Sequence, residues 1–246
     1  MEQRHLEGFL GQLDRQGLSG NYRRRKVAAI RSLFAFLEDR GLIPASPARK
    51  LFPPERGRHQ PRYLTELEYK RLLEAVRHEP RDAAVIELLL QTGIRLSELS
   101  GLKVTDVHLP ARLSRNPDGA GAVHVLGKGR RERTVTLNWK ACKALRAYLA
   151  VRAQDTDDPS LFLTKFGLGI GPRSIEFLVS KYLREAGIHG ASVHSLRHTF
   201  GTQSVKRGTK LRIVQEVLGH ASLETTSIYV GLAREDMDRE LQEHAL

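Results

Sequence analysis

The sequence predicts a mainly α-helical protein with a small antiparallel β-sheet, an α+β class, built as two domains. Three observations predict it. Apolar residues recur at helical spacing through most of the chain. Two short runs near its middle, 122–126 and 133–137, alternate in the strand manner on either side of Gly127-Lys128-Gly129-Arg130. Prolines at Pro44, Pro47, Pro53, Pro54 and Pro61, with Glu55-Arg56-Gly57-Arg58 among them, interrupt the helical pattern. The interruption divides the chain into a first domain over 1–52, a linker over 53–62 and a second domain over 63–246.

Within the first domain, Leu6, Phe9, Leu10 and Leu13 share one helical face. Asn21 is the expected cap of a second helix that Gly41 stops, with Val27, Ile30, Leu33, Phe34 and Leu37 on its apolar side. Its first turns carry Arg23, Arg24, Arg25 and Lys26, a cluster expected to project from the core and contact phosphates. After the linker, Thr65-x-x-Glu68 is a capping box for a helix with Leu67, Leu72, Leu73 and Val76 inside. Pro80 sits where a first-turn proline is tolerated, and an apolar helix runs from there to Gly93. Arg95 follows in a turn before a short helix over 97–100, and Glu98 is placed to hold its guanidinium or brace a histidine. The two alternating runs form a hairpin with Lys128 at the turn and Arg130 and Arg131 beside it. Residues 110–120 read as an inserted loop. Asn138 caps the next helix, 167–172 is a glycine-rich connection expected to be flexible, and a helix from about Arg173 to Ala186 stops at Gly187. The last long helix spans about 192–207 and carries His194, Arg197 and His198 near one face.

At 246 residues the chain can bury a substantial core. A formal net charge of +12 and an isoelectric point near 10.1 point to a polyanionic partner. The single cysteine, Cys142, excludes an intramolecular disulfide and a cysteine-based zinc cluster. No apolar run reaches the length of a membrane span, and the N-terminal residues lack the apolar core of a signal peptide, so the expected location is cytoplasmic.

The chemistry concentrates in Val193-His194-Ser195-Leu196-Arg197-His198-Thr199-Phe200, in Leu218-Gly219-His220 and in Tyr229, nine residues further on. A phenol is a poor general base near neutrality, with a free pKa of about 10. Beside cations it is a plausible nucleophile, because positive charge favours the phenolate. An arginine next to it fits a phosphodiester, whose oxygens match the planar fork. The i,i+4 histidines with a third histidine also fit a zinc hydrolase, but Ser195 stands where a zincin has its glutamate.

His194-x-x-Arg197, Leu218-Gly219-His220 and Tyr229 resemble the C-terminal signature of the tyrosine recombinases, the phage integrase and Xer-like group. Thr92-Gly93-Ile94-Arg95-Leu96-Ser97-Glu98-Leu99 is similar to that family's first arginine box, and Gly127-Lys128-Gly129-Arg130-Arg131 to its lysine-bearing turn. The resemblance runs from about Arg62 to Met237. It implies a site-specific DNA recombinase that cuts and rejoins strands through a 3′-phosphotyrosyl link, with Tyr229 as nucleophile, Arg95 and Arg197 clamping the phosphate, and Lys128 as acid for the 5′-oxygen. His194 would help remove the tyrosine proton and His220 would bond a non-bridging oxygen, with Glu98 supporting. It also implies no metal or other cofactor, and double-stranded DNA as partner, held by a clamp of two domains. The protein is expected to be monomeric off DNA and a tetramer on two duplexes. The family's N-terminal domain has four or more helices, whereas the first fifty residues here have room for about two, so the first domain is expected to be the second half of such a domain. The alternative within the same fold is a DNA-binding protein without catalysis.

Overall fold

A computed structural model describes residues 2–54, 61–116, 119–127, 132–153, 156–219 and 226–234. The chain divides into two compact units, Met1–Gln60 and Pro61–Leu246.

The first unit pairs helix α1 (Gln3–Arg15) with helix α2 (Gly20–Asp39). Leu6 and Val27 form its small core with Ala48 and Leu51, which return from the proline-rich segment, and Leu10, Ile30 and Phe34 pack on the rim. Three expectations need correction here. Ser19, not Asn21, caps α2, accepting the Tyr22 amide at 3.2 Å, because the helix already begins at Gly20. Phe9 and Leu33 are exposed, at 41% and 55%, because the stripe that two helices bury between them is too narrow to reach them. The basic cluster does not project as one surface. Arg23 pairs with Asp14 at 2.5 Å, Arg24 donates to the Pro54 carbonyl, and Lys26 lies over the Tyr22 ring, which leaves Arg25 as the exposed member.

The second unit is built around helix α4 (Pro80–Thr92), whose Val85, Ile86, Leu88 and Leu89 are wholly buried. A helix apolar on nearly every side belongs at the centre of a layered core. Around it pack α3 (Glu66–Val76), α6 (Trp139–Val151), α7 (Pro172–Glu185) and α8 (Val193–Lys206). The capping box forms as expected: Thr65 accepts the Glu68 amide at 3.3 Å, and Glu68 accepts the Thr65 amide at 2.9 Å. Leu67, expected inside, is 65% exposed, since it lies in the first turn and points away from α4. Pro80 opens α4 and Asn138 caps α6, accepting from the Lys140 and Ala141 amides.

Beyond the short helix α5 (Leu96–Ser100), a three-stranded antiparallel sheet runs in the order β1 (Val107–His108), β2 (Gly121–Leu126), β3 (Glu132–Leu137). Val123 faces Val135, which puts Val123, Val125, Val135 and Leu137 on the buried side. The strand β1 has no counterpart in the sequence reading, because two residues are too few to show alternation. The connection over 167–172 is a correction too. Ile170 and Phe162 are buried and joined by a 2.9 Å backbone hydrogen bond, and Thr164 bonds the Leu168 carbonyl at 2.7 Å. The chain then passes through α8 and helix α9 (Leu211–Leu218) to a last helix, α10, over 226–234. Among the described residues, no helix is long and apolar enough to cross a membrane.

Gly93 ends α4 in the left-handed conformation, φ +60°. A Cβ there would stand 2.6 Å from Phe200 Cδ1 and 2.7 Å from Leu218 Cδ2. Gly93→Ala therefore combines backbone strain of about 1–2 kcal/mol with overpacking of about 1–3 kcal/mol. A clearly lower denaturant midpoint is expected, and an unchanged one would mean that α8 and α9 are not seated on this turn.

Candidate active site

Three arginines converge on the C-terminal end of α9. Arg133 Nε donates to the Val217 carbonyl at 3.0 Å, Arg197 Nη2 to Leu218 at 2.6 Å and Arg95 Nη2 to Gly219 at 2.6 Å. These successive carbonyls belong to a helix end that lacks intrahelical amide partners and carries partial negative charge. Arg197 also donates to the Gly93 carbonyl and so joins the ends of α4 and α9. The sequence needs a glycine at 219 for two reasons. It caps α9 at φ +63°, and its missing Cβ would lie 3.1 Å from Arg133 Cζ and 3.2 Å from Arg95 Nη1.

Glu98 sits among these cations and is almost fully enclosed. It accepts the Arg95 amide at 2.7 Å and Arg95 Nη1 at 2.9 Å, and Arg133 spans both its oxygens at 2.7 and 2.9 Å. Burial alone would raise its pKa, but the hydrogen bonds and charges of Arg133 and Arg95 prevail and hold it at about 2. Burial pushes Arg197 down to about 10, with the Arg95 charge adding to the effect, so it stays cationic at neutral pH. Among the described residues, three guanidinium charges against one carboxylate leave a surplus of two positive charges. The side chain of Arg95 is 37% exposed and that of Arg133 is 17% exposed, which makes Arg95 the more open of the two.

Tyr229, on α10, is buried beside this cluster with Val214, Leu218 and Leu232. Its ring lies against Gly201 of α8, where a Cβ would come within 2.6 Å of Cζ. The hydroxyl is 3.2 Å from His198 Nδ1. Burial raises the phenol's pKa and the Arg197 charge partly offsets the rise. Burial lowers His198 to about 4, helped by His194 and Arg197, so the ring is neutral near pH 7. In its Nε2–H tautomer such a ring accepts a hydrogen bond from the phenol at Nδ1.

The structure thus brings Arg95, Glu98, Arg197 and Tyr229 together. His194 lies on the exposed side of α8, while His198 is turned onto Tyr229, so these two histidines do not share one environment. Lys128, Arg130, Arg131 and His220 lie outside the described residues. Sequence reasoning missed two participants. Arg133 occupies an inward position of β3, in phase with buried Val135 and Leu137, and that break in an apolar stripe was the available signal. His198 was read only as the i,i+4 partner of His194, on the face shared with Arg197 and in the zinc-hydrolase alternative, and not as a partner of Tyr229. A cavity of about 530 Å³ has Tyr69, Gln91, Lys140, Phe200 and Arg207 in its lining, but none of the convergent arginines nor Tyr229.

Residues 62–236 match the phage integrase family. The chain belongs to that family. Among its relatives, the tyrosine recombinase XerC of Thermodesulfovibrio yellowstonii is 36% identical over 236 residues, covering 91% of this chain and 75% of the relative. The crystal structure of XerA recombinase is 29% identical with a TM-score of 0.64, covering all of this chain and 83% of that one. The XerH site-specific recombinase, crystallised on a palindromic difH substrate in a post-cleavage complex, is 23% identical with a TM-score of 0.82. That match covers 98% of this chain and 71% of XerH, and it speaks for the fold. The phage integrase chain described here is a tyrosine-type site-specific DNA recombinase.

The His198 contact has a pH signature. Its pKa is about 4 in the fold and about 6.5 in an unfolded chain. Between those values the unfolded chain binds the extra proton, so stability is intact above about pH 6.5 and is lost as pH falls toward 4. His198→Gln should flatten the fall in melting temperature between pH 7 and pH 5. A variant whose curve parallels wild type would show that another group titrates there.

Proposed function

We propose that Tyr229 is the nucleophile of this recombinase and that Arg95 and Arg197 bind the scissile phosphate. One observation supports the reading above others: two arginines from distant boxes of the sequence meet on the adjacent carbonyls of Leu218 and Gly219, just ahead of the tyrosine helix. The phenolic oxygen attacks phosphorus, a Tyr229–phosphorus bond forms, and the bond to the 5′-oxygen breaks. Charge that grows on the non-bridging oxygens falls beside the surplus guanidinium charge, which favours the transition state over the ground state. Lys128 gives the proton to the leaving 5′-oxygen, His194 takes the tyrosine proton, and His220 bonds a non-bridging oxygen; these three roles rest on the family resemblance. His198 holds the phenol in the resting state. The phosphotyrosyl link conserves the bond energy, and the 5′-hydroxyl of a second duplex reverses the step.

The polymer bound is double-stranded DNA, consistent with the +12 charge and with the XerH complex. The first unit contributes to that binding, with Arg25 as the exposed member of the 23–26 cluster. Exchange of strands between two duplexes uses four tyrosines, hence four protomers on DNA assembled from monomers.

A nicked suicide duplex tests the central step. The wild-type chain should give a protein–DNA band that survives denaturing electrophoresis, and Tyr229→Phe should bind equally well and give none. A Tyr229→Phe adduct would remove this residue from its role, and binding without any wild-type adduct would favour a DNA-binding protein of the same fold.

Lys128→Ala should be rescued by a 5′-bridging phosphorothioate, because the sulfur leaves without a proton. Proton transfer of this kind is worth about 10²–10⁴ in rate on the oxygen substrate. Equal defects on both substrates would assign Lys128 to DNA positioning.

A further inference from the structure

Arg133 uses its whole fork inside the protein. Nε holds the Val217 carbonyl, and the two terminal nitrogens take one oxygen of Glu98 each. The residue stands at the second position of β3, opposite Val125, five residues after Lys128 in the sequence. One side chain therefore ties the hairpin to the carboxylate that orients Arg95 and to the helix end that receives Arg95 and Arg197. A planar guanidinium is required, because Cζ passes close over Gly219 and a lysine ammonium cannot reach three acceptors in this fan.

The charge balance gives Arg133 a second effect. Glu98 is enclosed and ionised, and it already takes the amide and Nη1 of Arg95. With Arg133 present, both carboxylate oxygens are shared and Nη2 of Arg95 remains on Gly219. Without it, the bare carboxylate has one cation left in direct contact, and Arg95 is drawn onto it as a bidentate pair.

We propose that Arg133 is a positioning residue for strand cleavage: by occupying both oxygens of Glu98 it keeps Arg95 aimed at the phosphate, and through Val217 it ties β3 to the helix end that holds Arg95 and Arg197. This rests on the phosphotyrosyl reading above.

The test is single-turnover cleavage of the nicked duplex at saturating DNA, with affinity and thermal midpoint measured alongside. The variants are Arg133→Lys, Arg133→Ala, Glu98→Gln and the Arg133→Ala/Glu98→Gln double variant. Arg133→Ala should cleave roughly 10- to 100-fold more slowly, the span expected for lost charge-assisted hydrogen bonds, with affinity within about threefold of wild type. Arg133→Lys, which keeps the charge and the stem, should lower the thermal midpoint less than Arg133→Ala does and still be slowed at least severalfold. The double variant should cleave faster than Arg133→Ala, because a neutral amide in place of the carboxylate no longer captures Arg95, a recovery that general loss of structure does not produce. Arg133→Lys at the wild-type rate, or a double variant no faster than Arg133→Ala, overturns the proposal. Absence of a wild-type adduct on the same substrate overturns the phosphotyrosyl reading instead, which keeps the two failures apart.

Discussion

The active site depends on the unsatisfied end of one short helix. Helix α9 is capped at Gly219, and its last carbonyls have no amide within the helix to accept. Three arginines fill them in sequence order, Arg133 on Val217, Arg197 on Leu218 and Arg95 on Gly219. Each arginine comes from a different element, so the end of α9 gathers β3, α8 and the start of α5 at one point. Cations at a helix C-terminus are favourable in any protein. Here the same contact that completes the helix sets the spacing between guanidinia. Mutual repulsion would spread them, and Glu98 with three carbonyls holds them close.

Helix α8 sets the other half of the geometry. Arg197, His198 and Gly201 lie within little more than one turn, so the helix presents a cation, an imidazole and a bare patch of backbone to neighbouring groups. Arg197 faces the ends of α4 and α9, while His198 and Gly201 receive Tyr229. In this seat the phenol is buried and protonated, and the imidazole beside it is neutral, both through desolvation. The attack on phosphorus proposed for Tyr229 needs the opposite state of the oxygen, and the Arg197 charge is the neighbouring influence that favours it.

Much of this was legible in the sequence because it rests on local rules. The capping box at Thr65, the proline opening α4, the glycines ending α4 and α7 and the hairpin strands all follow from a few neighbouring residues. The boxes around Arg95, Arg197 and Tyr229 were legible as a resemblance to a family whose model matches residues 62–236. What escaped depends on partners distant in sequence. Leu33 and Leu67 have helical periodicity, but no facing surface covers them. Arg23 and Arg24 read as a basic stripe, yet Asp14 and Pro54 claim them. Arg133 reads as one of several cations near a turn until the position of Glu98, 35 residues earlier, is known.

The same contacts that build the site also limit how it can receive a phosphate. Every terminal nitrogen of Arg197 is already on a carbonyl, and Arg133 is committed to Glu98 and Val217. A guanidinium has five N–H donors, so a phosphate that enters meets the N–H groups of Arg197 and Arg95 beside those already given to Gly93, Leu218 and Gly219. An anionic oxygen competes well against a neutral carbonyl for a guanidinium, since charge-assisted hydrogen bonds are about twice as strong as neutral ones. Where a phosphate oxygen competes for the donors on Leu218 and Gly219, it acts on the two carbonyls that hold Arg197 and Arg95 side by side at the end of α9.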